Sequence, residues 1–176
     1  MPMCQANREK DTGMRDRVIG LICASILLAL PALSPEPALA AGAVEMQVEH
    51  LVVQMIDEYN EAMEARDPQQ WLRYFTDNVK RHSPLSDQQG KQEFADYYAG
   101  EFKNFQARYA VKKILVSGRS AGVAFDWEGV HKPTNTPVKV EMVAIYEMAS
   151  SGRFESVSFY FDTAKVAQLF TAGGSK

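Results

Sequence analysis

Tyr59, His82 and Asp162 are the residues of this chain whose types could move a proton or hold a developing oxyanion. A histidine or carboxylate within hydrogen-bond reach of a substrate proton can act as general base, and a buried tyrosine hydroxyl can donate to an oxyanion. His82 ends a short extended segment before Ser83-Pro84, where it is either a base or a plain strand-end polar group. Tyr59 lies on an apolar helical stripe, where it either packs with its hydroxyl satisfied or offers that hydroxyl to a pocket. His50, beside Leu51, and His131, beside Lys132-Pro133, read as surface groups. No two histidines have helical ligand spacing and no H-E-x-x-H occurs, so no metal is expected. There is no G-x-S-x-G elbow and no glycine-rich phosphate loop. Three classes remain: binding without chemistry, acid–base chemistry of a cyclase, isomerase or dehydratase-like lyase type without a cofactor, and a dimeric structural or interaction protein.

The N-terminal 40 residues read as a leader. Arg8, Lys10, Arg15 and Arg17 precede the uncharged run Val18 to Leu30, and Pro31, Pro35 and Pro37 lead to Ala38-Leu39-Ala40-Ala41. This is the order of a secretory signal peptide, with cleavage expected after Ala40 and a periplasmic or secreted product. As a helix the run would reach roughly 20 Å, short of a hydrocarbon core about 30 Å thick, so no stable membrane span is expected. Both cysteines, Cys4 and Cys23, fall in this segment, which excludes thiol chemistry and disulfide scaffolding from the remainder. The net charge of −3 calls for neither nucleic acid nor an anionic surface.

Residues 41–171 have the length of one domain, followed by the tail 172–176. Val44, Val48, Leu51, Val52, Met55, Tyr59, Ala62 and Met63 recur at three- and four-residue steps and predict an amphipathic helix of about six turns. Asp67-Pro68 is a helix-start signal, predicting a second short helix to about Phe75. Val79 to Ser83 reads as extended, Ser86 to Gly90 as a polar loop, and Lys91 to about Phe105 as a third helix with an aromatic stripe. Beyond Ala107 the apolar period becomes two, over about 109–117, 122–131, 137–148 and 154–162, which predicts an antiparallel meander. A last short helix is expected at 164–170.

This order of elements, with Gly90-Lys91-Gln92-Glu93-Phe94, Trp127-Glu128-Gly129-Val130-His131 and the Gly152-Arg153-Phe154 turn, resembles the nuclear-transport-factor-2-like superfamily and its SnoaL-like branch, the relatives of polyketide cyclases and ketosteroid isomerases. The resemblance implies an α+β fold: a cone-shaped, curved antiparallel sheet packed against three N-terminal helices, with a pocket inside the cone. It places Tyr59 on the isomerases' oxyanion tyrosine, Ser83 on their carboxylate base and Ala144 on their oxyanion aspartate. Two of those three groups are therefore missing. Isomerisation by that route is not expected, and acids elsewhere, Asp162 or Glu141, are the remaining bases to consider beside His82.

Strand parity assigns the faces independently. Phe125 and Trp127, then Val140, Met142, Ala144, Tyr146 and Met148, then Val157, Phe159 and Phe161 share the face turned to the helices. Glu141 and Asp162 fall by parity on the other face. Tyr59, Ser83, Tyr97, Phe125, Trp127, Met142, Tyr146, Phe159 and Phe161 are the expected lining of a pocket for a small apolar or aromatic molecule. Val143, Ile145 and Tyr160 are expected outside, as the surface of a homodimer.

Overall fold

The computed structural model describes residues 36–171, with side chains over 41–167. Residues 1–35, which hold most of the expected leader, lie outside the described residues, as does the tail 172–176; Glu36 to Ala40 form the first turns of a helix. That helix, α1 (Glu36–Ala65), buries Val48, Val52, Met55, Ile56, Tyr59, Ala62 and Met63 along one stripe. It ends where Arg66 takes the left-handed conformation at φ 61° and Asp67 N–H bonds back to the Ala62 carbonyl at 3.1 Å.

The expected second helix shrinks to a four-residue 3-10 turn, Trp71–Tyr74. Asp67 does not cap it: its Oδ1 accepts from Gln69 N–H at 2.9 Å in a local turn, and the N-cap position is Gln70, with no side-chain cap bond. The segment is only long enough to set Trp71 and Leu72 into the core before the chain extends. β1 (Phe75–Ser83) begins earlier than the apolar pattern indicated. The polar stretch read as loop is a strand, β2 (Ser86–Gln89), paired antiparallel to β1 around Pro84-Leu85. Alternating side chains that all meet water leave no hydrophobic period, which is why β2 reads as loop.

Gly90, at φ 85°, starts α2 (Lys91–Asn104), and Glu93 Oε2 accepts the Gln89 N–H at 2.8 Å. Phe94, Tyr98 and Phe102 are its buried stripe; Gly100 does not interrupt it. The meander follows as β3 (Phe105–Ser117), β4 (Ser120–His131), β5 (Thr136–Met148) and β6 (Phe154–Phe161), closed by α3 (Thr163–Thr171).

The sheet order is β2-β1-β6-β5-β4-β3. Every pairing is antiparallel except β1 with β6, where Arg81 lies beside Val157 in parallel register. The sheet is therefore mixed, and the α+β class stands. Burial follows the expected parity: Val123, Phe125 and Trp127, Val138, Val140, Ala144 and Tyr146, Val157 and Phe159 are all nearly inaccessible. Asn60 fixes α1 to β3 by accepting Tyr109 N–H at 2.8 Å and donating to the Tyr109 carbonyl at 3.3 Å. On the outer face an ionic strip crosses the strands, with Lys112 and Lys139 on Asp126 at 2.6 and 2.9 Å and Arg108 on Glu128 at 2.7 Å.

Candidate functional site

Between α2 and the inner face of the sheet is a cavity of about 270 Å³. Its wall is mostly aromatic: Tyr97 and Tyr98 from α2, Phe105 and Tyr109 from β3, Trp127 from β4 and Phe159 from β6, with Met142, Phe161 and Val166. Leu85, exposed at the β1–β2 turn, belongs to the same lining. Two charged groups also line it, Glu101 from α2 and Arg81 from β1. An apolar chamber with a few convergent polar groups is the usual form of a small-molecule site, and this one sits near the lower end of the common range of about 300–1,000 Å³.

Glu101 is held from behind. Tyr59, fully buried, donates its hydroxyl proton to Glu101 Oε1, and the same hydroxyl oxygen accepts from Trp127 Nε1–H at 3.3 Å. The Tyr59 ring is fixed by a stack on Tyr109, centroids 3.9 Å apart, and by edge contacts with Trp71 and Phe102. Burial pushes the Glu101 carboxyl above its ordinary range, while the Tyr59 hydrogen bond and the Arg81 charge pull it partly back. Burial also pushes the Tyr97 hydroxyl up to about 12, so the aromatic hydroxyls here stay protonated donors. A carboxyl so placed has the oriented geometry and the raised affinity for protons that general-base work requires.

Arg81 is 5% exposed. Its Nη1 is anchored away from the cavity, donating to Gln88 Oε1 at 2.8 Å and Ser83 Oγ at 3.2 Å. Its guanidinium lies 3.9 Å from the Tyr97 ring centroid and 5.0 Å from that of Phe159. Nε is enclosed without a hydrogen-bond partner.

Of the residues expected from the sequence, Tyr97, Trp127, Met142, Phe159 and Phe161 line the cavity. Tyr59 stands one layer behind it and acts on Glu101. Phe125 and Tyr146 are core, packed against Tyr109 and Phe154 respectively. Ser83 is turned into the β1–β2 hairpin, where its hydroxyl donates to the Ser86 carbonyl at 2.9 Å and meets Arg81. His82 points out of the sheet, paired with Asp87 at 2.6 Å on an exposed surface. Asp162 is exposed and caps α3, accepting from Ala164 N–H at 2.9 Å. Glu141 sits on the outer ionic strip, its carboxylate on Lys112 at 2.8 Å. His82 and Asp162 therefore do not converge with Tyr59 on one cavity. Strand parity carries His82 outward because Arg81 and Ser83 face inward.

Glu101 and Arg81 were missed, and both had a signal. Glu101 continues the Phe94, Tyr97, Tyr98 stripe by one helical turn, and Arg81 alternates between Val79 and Ser83 on the inner face of β1.

The SnoaL-like domain family matches residues 56–157. No curated protein matches the chain. Among solved structures, a putative SnoaL-like polyketide cyclase from Jannaschia sp. CCS1 aligns at 17% identity and TM-score 0.63, over 73% of this chain and 94% of that one. A putative isomerase from Bacillus subtilis aligns at 17% identity and TM-score 0.62, over 74% and 95%. A hypothetical protein with a ketosteroid isomerase-like fold from Catenulispora acidiphila, in complex with trimethylamine, aligns at 14% identity and TM-score 0.57, over 65% and 90%. At these identities the structures establish the fold, and the family match covers more than half of the chain: the protein belongs to the SnoaL-like domain family, within the nuclear-transport-factor-2-like fold.

Proposed function

We propose that this domain binds a small, largely apolar or aromatic molecule in the cavity between α2 and the sheet. The observation that supports this most directly is the roughly 270 Å³ void itself, left open among Tyr97, Tyr98, Trp127 and Phe159 where those rings could have closed on one another. That a structural neighbour was crystallised with trimethylamine bound agrees with a ligand-holding role for such folds. Calorimetry with 2-naphthamide tests the reading. The wild-type domain binds it, and Met142→Trp, which fills the chamber from β5, abolishes binding. Absence of heat with the wild type, across bicyclic amides of similar size, overturns it.

A second reading has one specific observation in its favour. Glu101 faces the cavity with its carboxyl raised and oriented by Tyr59, the arrangement of a general base, and solved neighbours are described as a putative cyclase and a putative isomerase. In this reading Glu101 takes a proton from carbon or oxygen of the bound molecule, and Tyr59 positions Glu101. Exchange of an acidic C–H for deuterium, catalysed by the wild type and lost in Glu101→Gln, is the test.

Two further proposals complete the picture. The segment before Ala41 is a cleaved export signal, checked by N-terminal sequencing of protein recovered from its own cells. The exposed Val143, Ile145 and Tyr160 on the outer sheet face, with Leu115 beside them, are a homodimer surface.

A further inference from the structure

Arg81 is a buried cation with no carboxylate in direct contact; the nearest charge that acts on it is Glu101, across the same cavity. Among the described residues it makes no ion pair, and the polar atoms around its Nη1, on Ser83, Ser86 and Gln88, are all neutral. It lies over the rings of Tyr97, Phe159 and Tyr98, which attract a cation but do not neutralise it. Burying an ion without a counter-ion is costly, and the cost is tolerated where a ligand later supplies the missing charge. Nη1 is anchored and the Tyr98 hydroxyl also engages the guanidinium, but Nε has no protein acceptor. A guanidinium is the side chain that takes two oxygens of a carboxylate side by side. Arg81 is also a wall of the cavity.

We infer that the molecule held in this cavity is an aromatic or alicyclic carboxylate, bound with its ring among Tyr97, Trp127 and Phe159 and its carboxylate on the Arg81 guanidinium. This rests on the proposed binding role of the cavity and goes beyond it by naming the anchoring group. The guanidinium is delocalised and weakly hydrated, which suits a dry aromatic slot better than an ammonium would. The negative charge already in the chamber, Glu101, is engaged by Tyr59 and makes no ion pair with Arg81, so it leaves the Arg81 fork to the ligand. When the ligand carboxylate arrives, Glu101 is the group that can take up a proton to relieve the like-charge contact. A neutral ligand of the same shape leaves the Arg81 charge unpaired, so the site discriminates on charge as well as on size.

Calorimetric titration with two probes of the same size and shape, 2-naphthoate and 2-naphthamide, separates the possibilities. The wild-type protein is expected to bind naphthoate at least tenfold more tightly than naphthamide. Arg81→Met, which fills the same space without charge, should reduce this preference to about unity. In ¹⁵N spectra of the wild type, the arginine Nε–H signal that is absent from Arg81→Lys should move on adding naphthoate and stay in place with naphthamide. If Arg81→Met does not fold, the probe comparison and the Nε–H shift in the folded proteins decide the matter. Equal affinity for the two probes, with a cavity that binds both, overturns the carboxylate assignment and leaves the binding role standing. Failure of both probes to bind overturns the binding role and with it the assignment.

Discussion

Removing a single oxygen atom, by Tyr59→Phe, tests how the site is held. The ring packing on Tyr109, Trp71 and Phe102 is retained, so no cavity forms and the cost is that of hydrogen bonding alone. Two partners are affected. Trp127 Nε1–H loses its acceptor at 3.3 Å, and Glu101 loses its donor. Leaving a buried donor unsatisfied costs about 1–3 kcal/mol, with the long Trp127 bond at the low end, and a hydrogen bond to a charged group contributes about 1.5–3 kcal/mol. Cavity water recovers part of the second amount, because Glu101 is only half-buried. The expected loss is about 2–4 kcal/mol. At about 4 °C per kcal/mol for a domain of this size, the melting temperature should fall by roughly 10 °C. Urea unfolding supplies the free energy, and the same substitution in a Glu101→Gln background isolates the pair. With a neutral acceptor the loss should shrink by about 1 kcal/mol, the difference between charged and neutral hydrogen bonds. The protonation readout has a definite sign. Tyr59 donates to the ionised carboxylate and lowers the Glu101 pKa, so Tyr59→Phe raises it further. A raised carboxyl stabilises the folded state in acid, and that contribution fades as pH climbs through its folded-state pKa. The variant should therefore lose relatively more stability above that point than below it. A cost under about 0.5 kcal/mol, or a Glu101 carboxyl ¹³C titration that shifts to lower pH, would refute the reasoning.

Gly129→Ala places a Cβ 2.0 Å from the Gln106 carbonyl oxygen and 2.5 Å from Ala107 Cα, both backbone, so β3 must move away from β4. A loss of about 3 kcal/mol or more is expected in urea unfolding, above the common overpacking range of about 1–3 kcal/mol because no side chain can yield. Tyr160→Glu, half-exposed on the outer face, should leave thermal stability nearly unchanged and shift sedimentation to the monomer; an unchanged mass distribution would remove the dimer surface. The outer-strip carboxyls Asp126, Glu128 and Glu141 are held below their ordinary values, chiefly by hydrogen bonds from Lys112 and Arg108. Their contribution is present above about pH 4 and disappears as pH falls through their folded values, so added salt should flatten the acid limb of stability.

The fold was largely legible because its apolar periods are long. Thirteen-residue strands β3 and β5 give several repeats of a two-residue alternation, and α1 gives many turns of a stripe. Elements with one repeat or none, β2 and the turn at Trp71, were misread for that reason. The site was half legible. Aromatic lining residues announce themselves by parity, but Arg81 and Glu101 are charged residues on inward positions, where a reader of hydrophobic patterns expects none. Strand alternation around His82 was sufficient to show that its neighbours, not His82, face inward.

The parallel pairing of β1 with β6 joins the early part of the domain to its end, setting Arg81 beside Val157. A contact between such distant positions carries a high loop-closure cost and forms after local hairpins. The meander β3 to β6 can zip as successive hairpins, but the Arg81 wall arrives only when β1 docks on the far edge of that meander. On a ribosome the cavity cannot close until the last strand has emerged. Pulse-labelling hydrogen exchange during refolding should accordingly show amides of β4 and β5 protected before those of β1. A ligand that bridges Arg81 and Phe159 would then act late, trapping the finished chamber rather than guiding its assembly.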